Sequence, residues 1–177
     1  MICSSGILEF LGDFLYLDMR KKFDYIVSSC LAGIATRYDG SSCKDKRVAL
    51  LVKQGKAIPI CPETMGGLSI PRASAQINRG EGKDVLDGRS RVTNQRGEDV
   101  TDSFLKGAYR CLEIARLFSI KKAIMKDRSP SCGCGQIYSD EGGMVKGDGV
   151  ATSLLKKKMI KILCMTKHSN NLKQKTY

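Results

Sequence analysis

The chain has 177 residues, 42% of them apolar and none a Trp, which suits one globular domain with its own core. No apolar run approaches the roughly 18 residues of a membrane span, so no membrane partner is expected. Lys and Arg number 30 against 18 Asp and Glu, a net charge of +12, yet the lysines are scattered and no aromatic-interleaved basic motif is present, so nucleic acid is not expected as a partner.

Residues 1–18 read as an N-terminal extension or a misassigned start, because Met19 is followed by Arg20-Lys21-Lys22. They carry Glu9, Asp13 and Asp18 and lack a basic leader, so they are not read as a signal peptide and a cytoplasmic location is expected. The domain is expected over 19–166, with its elements between about Phe23 and Met165, and a mobile basic tail over 167–177. The first strand is Asp24-Tyr25-Ile26-Val27-Ser28. A loop with Cys30, Gly33 and Asp39-Gly40 leads to a helix from about Cys43 to Gln54, stopped by Gly55. The second strand, Ala57-Ile58-Pro59-Ile60, runs into Cys61-Pro62-Glu63. Residues 64–99 read as a loop-rich insertion, a lid or a surface decoration, with a hairpin about Val85-Leu86-Asp87-Gly88-Arg89.

The longest helix is expected from Thr101, its N-cap, to Phe118, with Phe104, Ala108, Cys111, Leu112, Ala115 and Phe118 on one face. A third strand, Lys122–Lys126, leads into Ser129-Pro130-Ser131-Cys132-Gly133, and a glycine-rich loop with a small hairpin follows. A helix over Val150–Lys158 and a strand over Ile160–Met165 close the domain. This alternation predicts an α/β fold: a single Rossmann-like domain with a mostly parallel sheet and a loop-rich insertion. Ligands in such sheets bind beyond the carboxyl ends of the strands.

Cys30, Cys61 and Cys132 each follow a predicted strand, among Ser, Pro and Gly rather than on an apolar stripe. Three thiolates on one sheet edge can hold a metal centre and leave it one ligand short. Eight cysteines without a signal peptide argue against a disulfide framework, and the one His, His168, lies in the tail. A His-based triad and an HExxH zinc site are thereby excluded. Structural zinc favours four ligands in closely spaced pairs, whereas iron–sulfur clusters accept wide separations, so iron–sulfur is preferred. Cys111 and Cys164 lie on apolar elements and are expected in the core, while Cys43 is read as incidental and Cys134 as a minor candidate for a fourth ligand. Glu63, beside Cys61, is a candidate general base; Ser129 and Ser131 are candidate orienting hydroxyls. Ser29 and the Arg37-Tyr38-Asp39-Gly40 segment are weaker candidates for substrate contact.

Together these motifs, with Gly66-Gly67-Leu68, Pro71-Arg72, Asp99-Val100-Thr101 and Gly107-Ala108, resemble the thiouracil desulfidase family over about residues 22–165. The resemblance implies a 4Fe-4S cluster held by Cys30, Cys61 and Cys132, with a fourth iron open to substrate sulfur. It implies removal of sulfur from a thiolated pyrimidine as hydrosulfide without net redox change, with Glu63 and Ser129 at the family's acidic and hydroxyl positions. The expected partner is thus a small thiolated nucleobase. The alternatives are a cluster-binding or sulfur-relay protein without ring chemistry, and an RNA-binding module with structural cysteines.

Overall fold

The computed structural model describes residues 23–139 and 143–165. The expected extension over 1–18, the start at Met19 and the tail over 167–177 lie outside the described residues. In chain order the elements are β1 (Tyr25–Ser28), α1 (Ser29–Ala32), α2 (Lys46–Lys53), β2 (Ala57–Ile60), α3 (Pro62–Met65), β3 (Ala75–Ile77), α4 (Gly82–Leu86), β4 (Val92–Asn94), α5 (Thr101–Leu117), β5 (Lys122–Lys126), β6 (Gln136–Ser139), β7 (Gly143–Lys146), α6 (Val150–Lys157) and β8 (Lys161–Met165). None of the described helices is long and apolar enough to cross a membrane.

Four strands form a parallel sheet in the order β2-β1-β5-β8. Its strands are near-continuous apolar runs because helices cover both faces. Successive side chains point to opposite faces, so Ile26 and Val27 enter different cores. Ile26 joins Phe104, Ala108 and Leu112 of α5 and Leu154 and Leu155 of α6 in the larger core. Val27 joins Val48 of α2, Ile124 and Met165 in the smaller one. The result is a three-layer α/β domain, as the alternation predicts.

A second sheet, in the order β4-β3-β6-β7, is built from the insertion and the later hairpin. β3 pairs with β6 in parallel and with β4 antiparallel, and β6–β7 is the predicted small hairpin. The insertion is therefore sheet-forming rather than merely loop-rich. The hairpin expected at Val85–Arg89 is instead the end of α4: Asp84 accepts from the Glu81 amide, and the turn closes as Gly88 N donates to Val85 O at 3.1 Å. Local capping outweighed the Asp-Gly signal there. Thr101 is not the N-cap of α5. Val100 occupies that position, and the Thr101 hydroxyl instead accepts the Val92 amide at 2.9 Å, tying α5 to β4. Asp45 caps α2 by accepting from the amides of Arg47 and Val48, so Cys43 lies in the preceding loop rather than in the helix.

The short helix α3 sits against α5 through two glycines. A Cβ on Gly107 would fall 1.8 Å from the Pro62 carbonyl oxygen, and one on Gly66 2.0 Å from that of Ser103. Arg110 of α5 also donates to the Met65 carbonyl at the end of α3. Gly107→Ala should therefore force α3 away from α5 and destabilise the fold by about 1–3 kcal/mol, the usual cost of overpacking. Urea unfolding checks this, and an unchanged midpoint would refute the close approach.

Candidate active site

β1, β2 and β5 end on one edge of the parallel sheet. The β1–β2 and β2–β5 connections carry the chain to opposite sides of β1, so the topology switches between β1 and β5, where α/β sheets open a crevice. A cavity of about 620 Å³ lies there. Cys30, Cys61, Cys132, Glu63 and Ser129 all line it. Gln76 of β3 and Tyr138 of β6 also line it, so the second sheet contributes to the wall.

Cys30 lies in α1, a single turn ended by Gly33 at φ +97°, a left-handed conformation that favours glycine. The Cys43 amide donates to the Cys30 carbonyl at 3.1 Å. A hydrogen bond with Cys43, then burial, pushes the Cys30 thiol up, while the same bond pulls Cys43 below an ordinary thiol against the opposing effect of its own burial. Cys61 is the N-cap of α3 in extended conformation, with Pro62 supplying the first helical residue. Its Sγ lies 3.7 Å from the Thr36 carbonyl. Cys132 sits in a turn closed by Gly133 N to Ser129 O at 2.7 Å. That turn is latched to α6, whose first amides donate from Val150 to Pro130 O (2.9 Å) and from Ala151 to Ser131 O (3.0 Å). The helix N-terminus thus satisfies its free donors on the loop that carries Cys132. Burial first, then the neighbouring Cys61, pushes the Cys132 thiol up. At Cys30 and Cys132, burial favours the protonated thiol, whose proton a metal ion displaces on binding.

Glu63 is in the first turn of α3, beside Cys61. Its Oε2 accepts from Arg72 Nε at 2.8 Å and Nη2 at 2.6 Å, and its Oε1 faces the Ser129 hydroxyl at 3.4 Å. Ser129 Oγ also accepts the amides of Ser131 and Cys132, each at 3.1 Å. One hydroxyl therefore joins the carboxylate to the cysteine turn. Lys126, at the end of β5, lines the same cavity, and its charge favours thiolate at Cys30 and Cys132. Its Nζ donates to the Asp127 carbonyl at 2.9 Å.

Of the weaker sequence candidates, Ser29 and Arg37 line the cavity, whereas Asp39 and Ser131 do not. The Asp39 carboxylate turns to Ser41, accepting from its amide at 3.0 Å and its hydroxyl at 2.6 Å; these bonds hold its carboxyl down at about 2. Ser131 is fully buried, and its hydroxyl has no hydrogen-bond partner among the described residues. Cys111 is in the core, as expected. Cys164 is not a free core thiol: it is disulfide-bonded to Cys134 across a Cα–Cα distance of 5.8 Å. Glycine-rich backbone after Cys132 brings Cys134 against β8, a contact that sequence spacing does not reveal. Arg72 and Lys126 are cavity residues that sequence reasoning does not single out. For Arg72 the available signal was its place in the Pro71-Arg72 motif; for Lys126 it was its position as the last residue of a strand ending at the site.

Among the described residues, no three His, Cys, Asp or Glu side chains form a group able to hold one metal ion. The chain belongs to the 2-thiouracil desulfurase family, whose model it matches over residues 25–167. It is 43% identical over 133 residues to the uncharacterized protein YbbK of Bacillus subtilis (strain 168), covering 74% of this chain and 88% of that one. It is also similar to the solved structure of the [4Fe-4S]-dependent thiouracil desulfidase TudS, with a TM-score of 0.70 and 37% identity over 81% of this chain and 91% of the other.

Proposed function

We propose that this protein hydrolyses the carbon–sulfur bond of a thiolated pyrimidine such as 2-thiouracil, giving uracil and hydrosulfide without net redox change. The observation that carries this is the cavity in which Cys30, Cys61 and Cys132 meet the Glu63–Ser129 pair. The donor set fits a 4Fe-4S cluster: all three candidate ligands are thiols, on three separate segments. A cluster places each thiolate on a different iron, so its ligands need not converge as they do around a single ion.

Bound by those three cysteines, the cluster would supply a thiophilic, Lewis-acidic iron that polarises the C=S bond. The protein's own groups do the rest. Glu63 takes a proton from the attacking water. The Ser129 hydroxyl donates to Glu63 and holds it beside the Cys132 turn. The cavity volume is within the usual range for small-molecule sites, with room for a nucleobase.

Incubating anaerobically reconstituted protein with 2-thiouracil should yield uracil and hydrosulfide in equal amounts, with no added electron donor or acceptor. Iron retention without sulfide release from any thiolated base would leave a sulfur-relay protein instead. Ser129→Ala should lower turnover about tenfold to a hundredfold, the worth of one hydrogen bond to a charged partner. Steady-state sulfide release at matched iron content measures it, and unchanged turnover would remove Ser129 from the machinery.

A further inference from the structure

The two oxygens of Glu63 have unlike surroundings. Oε2 takes both Arg72 hydrogen bonds, from Nε at 2.8 Å and Nη2 at 2.6 Å. Two donors on one carboxylate oxygen occupy its in-plane lone pairs. Among the described residues Oε1 faces only the Ser129 hydroxyl, at 3.4 Å, and retains capacity to accept another proton. Ser129 is committed as a donor toward it, because its oxygen already accepts two backbone amides.

Arg72 is itself fixed. Its side chain is only 7% exposed. Nη2 also donates to the Thr36 carbonyl at 3.1 Å and Nη1 to the Ser69 carbonyl at 3.2 Å, while its backbone amide donates to Tyr38 O at 2.8 Å. The Thr36 carbonyl is the same one that Cys61 Sγ approaches. One guanidinium therefore ties the carboxylate to the segment packed over Cys61.

Resting on the reading of Glu63 as the base, we propose that Arg72 is a positioning residue: it sequesters Oε2, so that Oε1 is the oxygen that takes the water's proton. The planar fork is required for this. A lysine ammonium is a point charge on a flexible stem and cannot hold Glu63 and the Thr36 carbonyl in one fixed plane. A misplaced carboxylate costs rate rather than substrate affinity, on the order of a hundredfold for about an ångström.

The test compares wild type, Arg72→Ala, Arg72→Lys, Glu63→Gln and the Arg72→Ala/Glu63→Gln double variant after anaerobic reconstitution. Iron content, kcat and KM for hydrosulfide release from 2-thiouracil are read for each, with and without added methylguanidinium. The cluster-free proteins are also unfolded in urea. The expected result is wild-type iron in every variant, and kcat about tenfold to a hundredfold lower in both single Arg72 variants with KM little changed. Methylguanidinium should restore part of the kcat of Arg72→Ala but none in the double variant. Arg72→Ala should cost almost no further rate in the Glu63→Gln background, because its effect on rate acts through that one carboxylate, while the urea midpoint still falls because the Thr36 and Ser69 carbonyls lose their donor. Unchanged kcat in Arg72→Ala, a rise in KM alone, full additivity in rate with Glu63→Gln, or loss of iron would each overturn the assignment. An inactive wild type would overturn the proposed function, and this assignment with it; an active wild type with any of those outcomes overturns the assignment alone.

Discussion

Replacing Cys30, Cys61 or Cys132 by Ser is expected to abolish iron retention after anaerobic reconstitution, and with it all sulfide release. Each thiol comes from a different segment: α1, the N-cap of α3, and the turn latched to α6. No other described cysteine lines the cavity, and Cys134 is bonded to Cys164. A serine hydroxyl is a poor, hard ligand that stays protonated where a thiol is deprotonated by metal. Cys111→Ser is the control. Cys111 is fully buried in the core, so a hydroxyl there lacks a good partner and should cost about 1–3 kcal/mol of stability while iron is retained. Iron and acid-labile sulfide assays on the four variants decide the matter. Iron lost in Cys111→Ser but kept in Cys61→Ser would show that the ligand assignment is wrong.

Glu63→Gln should keep the cluster and bind thiouracil, yet lower kcat by about 10²–10⁴-fold, the usual contribution of a positioned general base. The described side chains lining the cavity include no His that could substitute, and Asp127 faces Lys126 and Arg128 rather than Arg72. The amide retains the shape of the carboxylate and can still meet Ser129 but cannot take the water's proton. Single-turnover sulfide release at matched iron content separates this from a loss of binding. Full activity in Glu63→Gln would leave Lys126, which lines the same cavity, as the candidate proton carrier.

The parallel sheet was legible because β1, β2, β5 and β8 are buried on both faces and so appear as continuous apolar runs. The alignment of Cys30, Cys61 and Cys132 was legible for the same reason: locating the strand ends locates the residues just beyond them. The second sheet was not, since β3 and β4 are three residues each and too short for an alternation to register. Their pairing depends on β6, far along the chain, and long-range pairing leaves little local trace. The Arg72–Glu63 contact was hidden in the same way. Nine residues separate them, and only the fold of the intervening loop turns the guanidinium back onto α3. Likewise, the Cys134–Cys164 bond joins a glycine-rich loop to an edge strand 30 residues on, a distance over which spacing carries no signal.

The account holds that substrate sulfur meets iron held by Cys30, Cys61 and Cys132. The most direct measurement is iron-edge X-ray absorption of cluster-loaded Glu63→Gln titrated anaerobically with 2-thiouracil, where slow turnover preserves the complex. About four irons per chain are expected, with a saturable change in the iron–sulfur scattering that tracks bound thiouracil and is absent with uracil. Tight thiouracil binding with an unaltered iron spectrum would contradict it.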